Sequence, residues 1–184
     1  MPSSTLYLLP AVCNKPLRQA AGFTLVELML AIAVLAILLG VGIPAMQNFI
    51  IANRLSGEVR QFVAANMRAR SEAIMRGRPV QLCRSVNAGN GPDACDSGDR
   101  NWASGWLIVV PHATPDAAEV LARQRALDRD TRVIASTASI IYNGMGQIAT
   151  AAATFAFTAG GGHRRGVCLA SSGNSRVVAD AADC

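Results

Sequence analysis

From Leu28 to Asn53 the chain carries no charged residue, and Leu, Ile, Val, Ala, Met and Gly make up most of that run. A helix needs roughly 20 such residues to cross the ~30 Å hydrocarbon core of a bilayer. A stretch of this length must be covered by lipid or by protein. Charged residues are only 16% of the 184, against 51% hydrophobic, which excludes an intrinsically disordered chain. Lys15 and Arg18 precede the run, and no acid precedes Glu27. Positive charge on that side holds it in the cytoplasm, so the residues after the run are expected to be exported. Five cysteines fit an oxidising compartment.

An ordinary secretory signal has an apolar region of roughly 7–15 residues ending at a small-residue cleavage site. This run is longer, and a carboxylate, Glu27, stands at its edge. Burying that group in lipid costs about 2.5 kcal/mol or more unless it finds a partner, so a functional role is the default hypothesis. Its alternative is a carboxylate that merely reaches the membrane interface.

Gly22-Phe23-Thr24-Leu25-Val26-Glu27-Leu28 resembles the prepilin-peptidase motif of type IV pilins and type II secretion pseudopilins. The resemblance implies cleavage after Gly22 by the prepilin peptidase, methylation of the new N-terminal Phe23, and pairing of Glu27 with the N-terminal amine of a neighbouring subunit. A buried carboxylate is tolerated when a cation neutralises it, and helix docking would supply one. The implied organisation is a leader over 1–22, a transmembrane and assembly helix over 23–46, its amphipathic continuation over 47–76, and a periplasmic β-rich head over 77–184. Loss of the leader removes Lys15, Arg18 and Cys13, leaving four cysteines and 15 basic against 12 acidic residues, a formal charge of +3.

Between Gln47 and Met75 an apolar face is read at Phe49, Ile50, Leu55, Val59, Phe62, Val63, Asn66, Met67, Arg70 and Ile74, with Arg54, Glu58, Arg60, Arg68 and Glu72 outside. Gly77 and Pro79 end the helix. Gly40, Gly42 and Pro44 make a weak point where a kink or local melting is expected. From Phe23 to Arg76 the helix would run about 80 Å.

After Gly77, short apolar runs alternate with turn residues. Strands are expected at 80–83, 106–110, 120–124, 131–135, 140–142, 154–157, 166–169 and 176–178, with a polar loop over 85–101. One long helix against antiparallel sheet is an α+β domain. Leu82-Cys83-Arg84-Ser85, then Trp102 and Gly105-Trp106-Leu107, resemble the GspH/FimT group of minor pilins and pseudopilins, which implies a type IV pilin-like fold. Ser172-Gly173-Asn174-Ser175-Arg176-Val177 is similar to that group's terminal glycine-arginine stretch. Four cysteines allow three pairings. The preferred one is local: Cys83 with Cys95 around the polar loop, and Cys168 with Cys184 at the terminus.

Other motifs have plainer explanations. Gly144-Met145-Gly146-Gln147-Ile148-Ala149 matches a dinucleotide fingerprint in spacing, but no βαβ unit surrounds it. Asp93, Asp96 and Asp99 share a loop without EF-hand spacing. No Cys-x-x-Cys exists and neither histidine lies near a cysteine, so neither a metal nor another cofactor is expected. His112 reads as a loop residue, and His163 beside Arg164 and Arg165 gives no reason to expect catalysis. Arg164, Arg165 and Arg176 could reach phosphates. In FimT-type proteins a Gly-Arg-x-Arg element is associated with DNA capture. Here the matching residues are Gly173, Asn174, Ser175 and Arg176, so asparagine replaces the first arginine.

The expectation is thus a minor pilin or pseudopilin, in the tip or initiating complex of a type IV pilus or a type II secretion pseudopilus. Its partners would be other pilins, the peptidase and the inner membrane. DNA binding is the alternative, and a secreted enzyme with a cleaved signal the more remote one.

Overall fold

In the computed structural model the described residues are 22–86, 88–89, 94–112 and 118–184, so the leader lies almost wholly outside them. Among them the α-helix α1 (Leu25–Arg76) contains Pro44 and continues through it without melting. Two compact units divide between Gly42 and Ile43.

The first unit contributes the apolar start of α1, whose helix is long and apolar enough to cross a membrane and none of whose most apolar window is buried. Every residue with described burial from Gly22 to Ile50 is exposed.

Among the described residues the second unit holds the rest of α1 and eight strands: β1 (Val80–Arg84), β2 (Trp106–Val110), β3 (Glu119–Gln124), β4 (Arg132–Ala135), β5 (Ser139–Tyr142), β6 (Ala153–Ala159), β7 (His163–Leu169) and β8 (Ser175–Val178). They form two four-stranded sheets, ordered β3-β2-β1-β5 and β4-β6-β7-β8. All the pairings are antiparallel. β2 is buried along its whole length, whereas β6 alternates buried and half-buried, as a strand with one covered face must.

Phe62 of α1 occupies the centre of the core. Its ring meets Trp102, Trp106, Phe155 and Phe157 at centroid separations of 5.8, 5.3, 4.4 and 5.5 Å. Both sheets thereby close on one helical side chain. The buried stripe of α1 is Leu55, Val59, Phe62, Asn66, Ala69 and Ala73, spaced alternately by four and three residues. This corrects the face expected from the sequence at several positions. Phe49, Ile50, Met67 and Ile74 are exposed, and Glu58 is buried. Met67 and Ile74 each lie one residue, about 100°, off the stripe, while two alanines let the helix approach the sheets closely. Gly77 adopts φ 59° and donates its N–H to the Ile74 carbonyl at 3.3 Å, the left-handed helix end that glycine accepts without strain.

Candidate functional site

The start of α1 is built by Thr24. Its hydroxyl accepts the backbone N–H of Glu27 at 3.2 Å, and its carbonyl accepts that of Leu28 at 3.1 Å. Thr24-x-x-Glu27 is the residue pattern of a capping box, a signal in the sequence that the reading of the motif passed over. Glu27 therefore sits in the first turn of the helix, where the backbone dipole favours negative charge. It is exposed, and its carboxylate has no partner among the described residues. Gly22 and Phe23 precede the helix, with Phe23 76% exposed. Helix start, carboxylate and the Gly22-Phe23 pair are thus together and open, followed by an apolar stretch of α1 that is exposed up to Ile50 wherever burial is described.

In the head, disulfides join Cys83 to Cys95 and Cys168 to Cys184, each with a Cα separation of 5.5 Å. The first encloses a buried arginine. Arg84 is 5% exposed; it pairs with Asp96 and with Asp99 at 3.7 Å, and its Nε donates to the Asn101 carbonyl at 2.7 Å. The Gly98 N–H and the Arg84 guanidinium hold the Asp96 carboxyl below the usual carboxylate range. Two of the three loop acids, Asp96 and Asp99, therefore serve an arginine; Asp93 lies outside the described residues. Among the described residues no cluster of His, Cys, Asp or Glu suits a metal ion.

Each of the terminal arginines has an acceptor within the chain. Arg164 pairs with Asp180 at 3.4 Å. Arg165 donates to the Arg164 carbonyl at 3.1 Å, and Arg176 donates to the Asp183 carbonyl at 3.2 Å. Asn174, where an arginine would complete the glycine-arginine element, instead accepts from Arg70 of α1 at 2.8 Å. The neighbouring Gly173 needs its φ of 83° and has no room for a Cβ, which would lie 2.2 Å from the Gly146 carbonyl oxygen. The glycine-rich segment at 144–149 is a turn: Asn143 Oδ1 accepts the N–H groups of Met145 and Gln147, both at 3.0 Å. His112 Nδ1 lies 3.1 Å from the Val110 carbonyl, and His163 begins β7.

Three residues that join helix to head were not singled out as such in the sequence. Tyr142 donates its hydroxyl to Asn66 Oδ1 at 3.1 Å, and Asn66 donates to the Phe62 carbonyl at 2.9 Å. Glu58 accepts the Asp128 N–H at 3.3 Å. A polar residue at a core spacing of the helical stripe, Asn66 or Glu58, was the available signal.

Two family models match the chain. One, described as type II transport protein GspH, covers residues 58–173; the other, the prokaryotic N-terminal methylation motif, covers 17–43. Prepilin peptidase-dependent protein D of Escherichia coli K12 is 36% identical over 77 residues, 42% of this chain and 44% of that relative. The chain thus matches less than half the length of this curated relative. The crystal structure of the type IV minor pilin FimU of Pseudomonas aeruginosa superposes with a TM-score of 0.55 at 18% identity, over 68% of this chain and 89% of that one. The minor pseudopilin EpsH from the type 2 secretion system of Vibrio cholerae gives 0.50 at 11% identity, over 68% and 97%. At these identities the two structures speak for the fold alone, a type IV pilin-like one. With the GspH model spanning most of the chain behind a methylation motif, the protein belongs to the GspH family of pilin-like subunits.

Proposed function

We propose that the chain works by assembly, as a minor subunit of a type IV pilus or type II secretion pseudopilus, in the initiating or tip complex. The observation that carries this reading is Glu27: an exposed carboxylate, without a partner among the described residues, in the first turn of a helix whose apolar start is exposed, five residues after Gly22. A carboxylate there is costly in lipid and becomes favourable when a neighbour's amine neutralises it. On this reading the precursor stays in the inner membrane with Lys15 and Arg18 in the cytoplasm and the head in the periplasm. Prepilin peptidase cuts after Gly22 and methylates Phe23, and Glu27 then pairs with the Phe23 amine of a neighbouring pilin as the helix enters the filament.

The test is Glu27→Ala in the full precursor. It should insert in the membrane and be processed, with Phe23 found methylated by mass spectrometry, yet be lost from sheared filaments by tenfold or more. Normal incorporation would overturn the reading. The DNA-capture alternative draws less support, because Arg164 and Arg176 are already engaged by acceptors at the C-terminus.

A further inference from the structure

A cleft of about 430 Å³ opens beside α1, bordered by Arg54, Gly57, Glu58, Gln61, Gln124 and Asp128. Its charges do not balance. Arg54 Nη1 lies 2.6 Å from Asp128 Oδ2, so these two cancel and the Glu58 carboxylate is left over. Glu58 is 8% exposed. Its Oε1 accepts the Asp128 N–H at 3.3 Å, and its Oε2 has no hydrogen-bond partner among the described residues. A buried, half-satisfied carboxylate is unfavourable until a donor of positive charge reaches it. The terminal torsion of a glutamate is soft, so a small turn of the carboxylate presents Oε2 to the cleft.

Gly57 is the second observation. Glycine in a helix interior is destabilising relative to alanine, and here nothing in the subunit requires it: φ is not left-handed, and an added Cβ would meet no atom within 4 Å. The missing side chain leaves a notch in α1 at the cleft's border, next to the unbalanced carboxylate. The subunit's own packing does not use that space, but something entering from outside can.

We infer that this cleft receives a basic side chain, arginine or lysine, from a neighbouring pilin-type subunit, with Glu58 as its counter-ion and Gly57 as its entry. A divalent cation fits less well, because only one uncompensated negative charge is present. The carboxamides of Gln61 and Gln124 can accept the remaining N–H groups of a guanidinium, and its aliphatic stem can lie along the helix over the notch. The inference rests on the filament reading above, but it concerns a contact where the second half of α1 meets the head, far along the chain from Glu27.

The experiment uses the full precursor in its native host, comparing wild type with Glu58→Gln and Gly57→Leu. Glu58→Gln removes the charge and keeps the shape; Gly57→Leu keeps the charge and fills the notch. Each detergent-extracted variant is melted, and its amount in sheared filaments is measured relative to the membrane pool. Both variants should keep Tm within a few degrees of wild type and fall at least fivefold in the filament fraction. Recovery within twofold of wild type for either variant, or losses that track a lowered Tm, would overturn the inference while leaving the filament reading intact. Absence of the wild-type chain from filaments would overturn both.

Discussion

Tyr142 and Asn66 form a buried polar link between β5 and α1, and its chemistry sets a pH limit on the head. Burial pushes the Tyr142 phenol up to about 12, with Arg70 opposing weakly. The folded state therefore keeps the phenol protonated in a range where the unfolded chain, with an ordinary value near 10, gives up the proton. This contribution is complete below about pH 10 and is lost as pH rises towards 12. The loss should amount to roughly 2–3 kcal/mol. Urea titrations of wild type and Tyr142→Phe at pH 8, 10 and 11.5 test this: the alkaline loss should be much smaller in the variant. At pH 8 Tyr142→Phe should itself be less stable by about 1–3 kcal/mol, because Asn66 Oδ1 loses its donor while remaining buried. An equal alkaline loss in both proteins would show that other groups cause it. Asn66 belonged to the face read from the sequence, but its partner was illegible, since 76 residues separate the two and no local pattern encodes that pairing. Glu58 misled for the related reason that charge predicts exposure only where no neighbour covers the side chain.

At the scale of elements, the strands were legible from short runs bounded by turn residues such as Pro111, Gly144 and Gly146, except that β7 begins at His163, three polar residues before the expected apolar run. Their arrangement into two sheets was not, because order across a sheet depends on long-range pairing. β1, for example, joins β2 on one side and β5 on the other. The helix was legible in existence and end, but its buried face was read too broadly because large apolar residues were favoured over Ala69 and Ala73. The C-terminal end of the chain shows how small elements are held. β8 lies at a sheet edge, and the last turn, Ala181–Asp183, is closed by Asp180 and Asp183 capping each other's backbone. The Ala182 N–H, and then Arg164, hold the Asp180 carboxyl below its ordinary range. Its favourable contribution is thus present above about pH 4 and is lost as pH falls through the lowered value. The Cys168–Cys184 bond ties this turn to β7. Cys184→Ser should cost about 3 kcal/mol, the value for a loop of some 15 residues, measured by denaturant titration. In that variant amide exchange in residues 175–184 should become faster and acid-sensitive below pH 4. Unchanged exchange there would mean that the edge strand is held by its pairing with β7 alone.

On the scale of the whole molecule, the apolar excess divides the chain by job. No residue with described burial before Leu55 is buried, and those before Ile51 are all exposed. The first half of α1 is thus exposed wherever its burial is described, and on the filament reading its cover is lipid or other subunits. The side chains that close the core come from the second half of the helix, the strands, the turn that carries Trp102 and the loop residue Ile148. This separation suits a subunit that is stored in a membrane and later moved: its head can be complete before and after transfer, while only the covering of the helix changes. A chain beginning at Asn53 keeps Arg54 with Asp128, Phe62 with its aromatic neighbours and all four head cysteines. It loses only the half-buried Ile51 and Ala52 among residues near the core. That fragment, exported so that its disulfides form, should be monomeric by sedimentation without detergent and unfold in one transition. Its Tm should lie within about 4 °C of the full chain in mild detergent, the shift expected from ~1 kcal/mol in a domain of this size. A fragment that aggregates, or melts far lower, would show that the exposed apolar half of α1 supports the head as well as the assembly.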